Sequence, residues 1–186
     1  MATIPPLPIT LRDGERITIV PAGAEHAPGY AALMEQLERE DSFGLVSAPG
    51  DKSHQPDAIA ERFVKAAAST HSLQLVALNG TGELVGEAMA RGDHRPRIAH
   101  RADVSINLAA PYRGRGLGGA MMRILVDWAA AHPVLERLSL AVFAVNHPAR
   151  RLYESLGFVI EGVRKREIRL GPGEYSDDLI MARFVK

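Results

Sequence analysis

The chain has 186 residues, and its composition of 46% hydrophobic and 24% charged residues is that of a globular domain able to bury its own core. It contains no cysteine, which excludes a disulfide framework, a thiolate metal site and a cysteine nucleophile. Lys plus Arg and Asp plus Glu number 22 each, a balance that argues against a general nucleic-acid binder relying on phosphate neutralisation. The halves differ: residues 1–100 carry 9 basic against 13 acidic side chains and residues 101–186 carry 13 against 9, enough for a local anionic ligand.

The opening stretch to Thr10 holds Pro5, Pro6 and Pro8 and no long apolar run. It reads as neither a leader nor a membrane anchor, so no membrane partner and a cytoplasmic location are the expectation. Residues 1–15 are taken as an N-terminal extension and 16–186 as the domain. Arg16 to Val20 reads as a first strand ending at Pro21. Tyr30, Leu33, Met34 and Leu37 recur at helical spacing among polar residues. Asp41 to Gln55 mixes Gly44, Pro49 and Gly50 with polar residues, and reads as a long loop of the kind that shapes a binding site. Pro56 opens a second helix through Ile59, Phe63 and Ala67.

Leu73–Leu78 and Glu83–Ala90 read as strands joined by Asn79-Gly80-Thr81-Gly82, with the Asn-Gly pair expected to supply the positive φ of a hairpin turn. A further strand runs to about Leu108, a helix starts near Gly116 and stops at Pro133, and Leu138, Leu140 and Val142 mark another strand. Asn146 and Gly157 read as the N-cap and C-cap of a short helix with Pro148 in its first turn. Two closing strands surround Gly171-Pro172-Gly173. The order predicts one α/β or α+β domain, with a mixed sheet of about six or seven strands flanked by about four helices.

The most informative segment is Pro111-Tyr112-Arg113-Gly114-Arg115-Gly116-Leu117-Gly118-Gly119, between a strand and an amphipathic helix. Glycines let several backbone N–H groups approach an anion, the helix N-terminus adds partial positive charge, and Arg113 and Arg115 add more. A plain strand-to-helix turn with solvated arginines is the alternative. The Gly-Lys-Ser/Thr ending of a P-loop is missing. Gly114, Gly116 and Gly119 satisfy G-x-G-x-x-G, but Leu138 to Val145 offers no acidic residue for a ribose, which weakens a dinucleotide reading.

What remains is R-x-x-G-x-G, and here the sequence resembles the GNAT superfamily of acyl-CoA-dependent N-acetyltransferases, whose pyrophosphate loop reads Q/R-x-x-G-x-G/A. One strand downstream, Asn146-His147-Pro148-Ala149-Arg150-Arg151-Leu152-Tyr153-Glu154-Ser155-Leu156-Gly157-Phe158 is similar to that superfamily's N-x-x-A-x-x-x-Y-x-x-x-G-F signature. The chain looks most like a bacterial amino-acid N-acetyltransferase subgroup, through Arg95-Pro96-Arg97, His100, Gly173-Glu174-Tyr175-Ser176-Asp177 and Met181-Ala182-Arg183.

The resemblance implies acetyl-CoA as cosubstrate, with Arg113, Gly114, Arg115, Gly116, Leu117, Gly118 and Gly119 around its pyrophosphate. It implies the backbone of Ile106, Asn107 and Leu108 along the pantetheine arm, and Asn146 and Ala149 beside it. Tyr153 matches the tyrosine that protonates the departing sulfur in many members. On spacing alone Asn146 serves equally as a helix cap and Tyr153 as a core aromatic. Asp103 and Glu87 are candidate general bases, each also readable as an ordinary charged or paired side chain, and a water chain would serve equally. Arg95, Arg97 or His100 are candidates to meet a substrate carboxylate. No His or acidic spacing suggests a metal. The acceptor implied is a small amine, an amino acid first; a protein N-terminus and a non-catalytic acyl-CoA binder are the other readings. Dimers being the commonest assembly, a homodimer is the expected state.

Overall fold

The computed structural model describes residues 4–40 and 55–186. The loop read at 41–55 therefore lies outside the described residues except for its last position. Among those described, the elements are β1 (Leu7–Thr10), β2 (Arg16–Pro21), α1 (Ala27–Arg39), α2 (Pro56–Ala68), β3 (Ser72–Leu78), β4 (Leu84–Gly92), β5 (Arg101–Leu108), α3 (Leu117–Ala131), β6 (Arg137–Phe143), α4 (His147–Ser155), β7 (Val159–Gly171) and β8 (Glu174–Phe184). No helix among them is long and apolar enough to cross a membrane.

The strands form one sheet in the order β1-β2-β3-β4-β5-β6-β8-β7. It is mixed, as expected, but has eight strands rather than six or seven. The additional strand is β1, drawn from the lead taken as an extension: Leu7 pairs with Ile19 and Ile9 with Ile17. Prolines disguised it. Pro8 lacks an N–H, and an edge strand tolerates that because one of its sides has no neighbour to bond. The hairpin between β3 and β4 differs from the expectation too. The positive φ falls at Gly82 (83°), not on the Asn-Gly pair, because the Asn79 side chain itself organises the turn by accepting from the Thr81 and Glu83 N–H groups at 3.1 and 2.9 Å.

α1 and α2 cover one face of the sheet and α3 the other. Ile59 and Phe63 of α2 and Tyr30, Leu33, Met34 and Leu37 of α1 form one apolar layer with Val76 and Leu84. Leu117, Met121, Met122 and Leu125 of α3 pack on the opposite face against Leu75, Val85, Val104, Leu138 and Leu140. Most of these are essentially inaccessible to water, each contributing about 1.5–3 kcal/mol by burial. The sheet is thereby covered on both faces.

Candidate active site

The strands part between β5 and β6. These are the sheet's parallel neighbours, and they pair only at their starts, Arg101–Asp103 against Arg137–Ser139. Beyond that, β5 stays bonded to β4 as far as Leu108 and β6 to β8 as far as Phe143, so the two diverge. A cleft of about 690 Å³ occupies the gap. Its walls are Ile106 and Leu108 of β5 and Ala141, Val142 and Phe143 of β6, and the edge of β5 that faces it has no strand partner past Asp103.

The glycine-rich segment closes one end. Gly114, Gly116, Gly118 and Gly119 line the cleft. Gly114 (φ 73°) and Gly116 (φ 99°) hold left-handed conformations that a side chain disfavours, which turns the chain sharply into α3. Gly118 serves packing instead: a Cβ there would stand 3.2 Å from Leu152 and 3.3 Å from Leu108. The absence of side chains, the start of α3 and the cleft's basic rim together fit a diphosphate-bearing ligand.

The two loop arginines separate. Arg113 lines the cleft, its Nε donating to the Leu108 carbonyl (2.9 Å) and its Nη2 to Glu40 (3.0 Å). Arg115 turns away. It pairs with Asp13 and with Glu15 (2.6 Å) and lies 5.2 Å over the Tyr112 ring, tying the β1–β2 turn to the loop. Leu117 is buried in the core rather than in the cleft. Three arginines not expected from the sequence line the cleft, Arg12, Arg123 and Arg151. Arg123 stands four residues after Gly119, one helical turn on, and that spacing is the signal that could have found it. Nothing local marks Arg12, which arrives from the β1–β2 turn.

α4 supplies the far wall. Asn146 caps it, accepting from the Ala149 N–H at 3.2 Å, and also lines the cleft, so one residue both caps the helix and borders the cleft. Ala149 and Tyr153 follow on the same side. Gly157 (φ 81°) ends the helix, and the Phe158 N–H returns to the Tyr153 carbonyl at 3.0 Å. Tyr153 is 6% exposed, and burial alone pushes its phenol up to about 12. It is therefore protonated at neutral pH and available as a donor into the cleft.

The two acidic candidates fare differently. Asp103 lies at the closed end of the β5–β6 pair, beside Arg101 at 3.7 Å, with its side chain 55% exposed and outside the cleft wall. Glu87 also lies outside the cleft wall, but it is 1% exposed, buried on the α1–α2 face beside the splay. Its carboxylate accepts from Gln74 Nε2 (2.8 Å) and from Asn107 Nδ2 (3.2 Å). Burial pushes its pKa upward, only partly offset by those two donors and by Arg62. Asn107 thus sends its side chain to the base candidate while its neighbours Ile106 and Leu108 face the cleft. Tyr30 belongs to the same cluster, its phenol pushed up by burial and by the Glu87 charge.

Arg95 is bound to Asp93 at 2.6 Å and mostly exposed. Arg97 and His100 are exposed too, in the segment leading into the closed start of β5. His94 meets His71 edge-on (4.3 Å between rings), and His71 in turn meets His132 at 5.0 Å. Among the described residues no group of three His, Asp or Glu side chains is arranged to hold a metal ion.

Residues 31–158 match the model of the family described as acetyltransferase (GNAT) family. The chain is 36% identical over 102 residues to the L-amino acid N-acetyltransferase AaaT of Escherichia coli; the match covers 55% of this chain and 62% of that relative's length. It is 34% identical over 122 residues to the N-alpha-acetyltransferase RimI of Mycobacterium tuberculosis, covering 65% of this chain and 71% of that protein. Among solved structures, an acetyltransferase of the GNAT family from Streptococcus pneumoniae superposes with a TM-score of 0.85 at 26% identity, covering 90% of this chain and 99% of the other.

Proposed function

The chain belongs to the acetyltransferase (GNAT) family, and we propose that it transfers the acetyl group of acetyl-CoA to the primary amine of a small acceptor, an amino acid. The carrying observation is the β5–β6 splay: a narrow cleft with a side-chain-free, arginine-rimmed loop at one end and a buried, protonated tyrosine in its wall. Gly114 to Gly119 and the arginines take the diphosphate. The partnerless edge of β5 takes the amide-bearing arm as an added strand would.

The reaction is direct. The neutral amine attacks the thioester carbonyl, a C–N bond forms, the C–S bond breaks, and the electron pair leaves on sulfur. Glu87 takes the proton that the nitrogen gives up, its burial-raised pKa making it a better base at neutral pH than an ordinary carboxylate. Tyr153 donates its proton to the sulfur as the C–S bond breaks and regains it from solvent. Asp103 has no part in this scheme, being exposed at the closed end of the strands.

The test is free-thiol release from acetyl-CoA with amino acids, amino sugars, polyamines and short peptides; with no cysteine in the chain, the protein gives no background. Turnover with amino acids is expected. Turnover with peptides alone would move the acceptor to a protein N-terminus, the reading that the RimI match favours. Tyr153→Phe should lower kcat by about 10²-fold or more while the acetyl-CoA Kd stays within twofold. Unchanged kcat would remove Tyr153 from the proton path. A homodimer is proposed through β7, the edge strand on which Val159 and Val163 are 61% and 43% exposed, and light scattering on a sizing column tests it.

A further inference from the structure

We propose that the buried cluster beneath α1 and α2 is an acceptor subsite that grips an α-amino acid by both charged ends, with Arg62 reading the carboxylate and Gln74 and Glu87 receiving the ammonium. The inference deepens the acetyl-transfer reading and rests on it.

Three polar atoms in this cluster are buried and lack any hydrogen-bond partner: Nε and Nη2 of Arg62 and Oε1 of Gln74. Such atoms are rare in folded proteins because each forfeits its hydration without return. Their identities are informative. Nε and Nη2 form one edge of the guanidinium, the edge whose two parallel N–H bonds match the two oxygens of a carboxylate. Oε1 is an acceptor and needs a donor. The unmet demand is therefore for a carboxylate on one side and an N–H on the other, which is what a zwitterion offers.

The side chains are held for that purpose. Arg62 emerges from α2 beside the fully buried Phe63, and its guanidinium lies 5.1 Å over the Tyr30 ring and 5.6 Å over the Phe63 ring. Two aromatic faces fix the plane of the cation, which also donates to the Tyr30 phenol and keeps its Nε–Nη2 edge without a partner. Gln74 is 4% exposed, and its amide orientation is dictated by Nε2 donating to Glu87, leaving Oε1 turned outward from that bond. Arg62 and Glu87 feel one another's charge, yet no ion pair joins them. An α-amino acid placed between them would satisfy both. Asn107, bonded to Glu87 and carried on the splayed half of β5, connects the cluster to the cleft where the thioester would lie.

The experiment compares kcat/KM for L-methionine and L-phenylalanine with that for their carboxamides and for the carboxylate-free amines 3-(methylthio)propylamine and 2-phenylethylamine. The wild type is expected to prefer each acid about 100-fold over its carboxylate-free partner. In Arg62→Gln that ratio should collapse to within about threefold of one, with the acetyl-CoA Kd unchanged. Arg62→Lys, which keeps the charge and loses the two-bond edge, should fall between and guards against a variant that merely fails to fold. Calorimetric binding of L-methionine to the protein–CoA complex should be lost in Arg62→Gln. A wild type indifferent to the carboxylate, or an Arg62→Gln protein that slows acids and amines alike, would overturn the subsite while leaving acetyl transfer intact. Silence with every amine despite acetyl-CoA binding would overturn both.

Discussion

The two faces of the sheet meet at the β5–β6 splay and are built on opposite principles. On the α3–α4 face the apolar walls of the cleft are rimmed by glycine backbone, one capping asparagine and arginines, of which Arg12, Arg123 and Arg151 make no ion pair among the described residues. On the α1–α2 face the polar groups are few and dry: Tyr30, Gln74 and Glu87 are all at least nine-tenths buried and bonded into one network with Asn107. A long, charged cosubstrate can be held by backbone and diffuse positive charge, which tolerate small displacements. Under the proposed reading, proton removal from a small amine tolerates none, and the buried groups are held by packing in a low dielectric, where each bond is stronger and each unmet one more costly.

The largest effect should come from breaking the dry face. Glu87→Gln keeps the volume and removes the proton acceptor, so kcat should fall about 10²- to 10³-fold with the acetyl-CoA Kd within twofold. The pH profile sharpens this. In the wild type, kcat at saturating acceptor rises with pH as Glu87 loses its proton, and because burial raises its pKa that limb lies above the ordinary carboxylate range. Tyr153, pushed up to about 12, adds no falling limb in the neutral region. Glu87→Gln should flatten the rising limb; a variant that retains it would assign the base elsewhere.

A smaller loss should follow from straining the wet face. Gly116 sits at φ 99°, and a Cβ there would meet only the Arg12 side chain, Cγ at 3.8 Å and Nε at 3.9 Å, ordinary contacts. The cost of Gly116→Ala is therefore conformational, about 1–2 kcal/mol, and is relieved if the loop moves its N–H groups off aim. Titration should show acetyl-CoA binding weakened about tenfold, with kcat at saturation within twofold.

The same contrast explains what could be read before any coordinates. The wet face was legible because its devices are local: R-x-x-G-x-G turns a strand into a helix within one segment, and Asn146 to Phe158 caps, walls and terminates another. Periodicity likewise placed α1 and α2 on the residues they occupy. β1 was missed because three prolines argue against a strand unless its edge position is known. The dry face was nearly illegible. Its members come from α1, α2, β3, β4 and β5, residues 30 to 107, and nothing in the spacing of Tyr30, Arg62 and Gln74 says that the sheet brings them to Glu87. Of that cluster only Glu87 was named as a base and only the backbone of Asn107 as cofactor-facing. Arg115 was grouped with Arg113 because both flank Gly114; that Asp13 and Glu15 would claim it depends on a hairpin a hundred residues upstream.

That pairing supports the finest test of the comparison. Arg12 and Arg115 are neighbours, the Arg12 N–H bonding the Arg115 carbonyl at 3.1 Å, yet their side chains diverge: Arg12 into the cleft, Arg115 between Asp13 and Glu15. Arg12→Gln should weaken acetyl-CoA about threefold to tenfold at low ionic strength, an effect that shrinks as salt screens the rim. Arg115→Gln should leave that Kd within twofold and lower Tm by no more than about 4 °C, since an ion pair that keeps some solvent contact contributes about 1 kcal/mol or less. If both variants weakened acetyl-CoA equally, Arg115 would have to leave its carboxylates when the ligand binds, and the wet face would be a moving clamp rather than a fixed cradle. The salt dependence separates these cases, because salt screens the attraction of an arginine with no ion pair among the described residues more than that of one already neutralised by two acids.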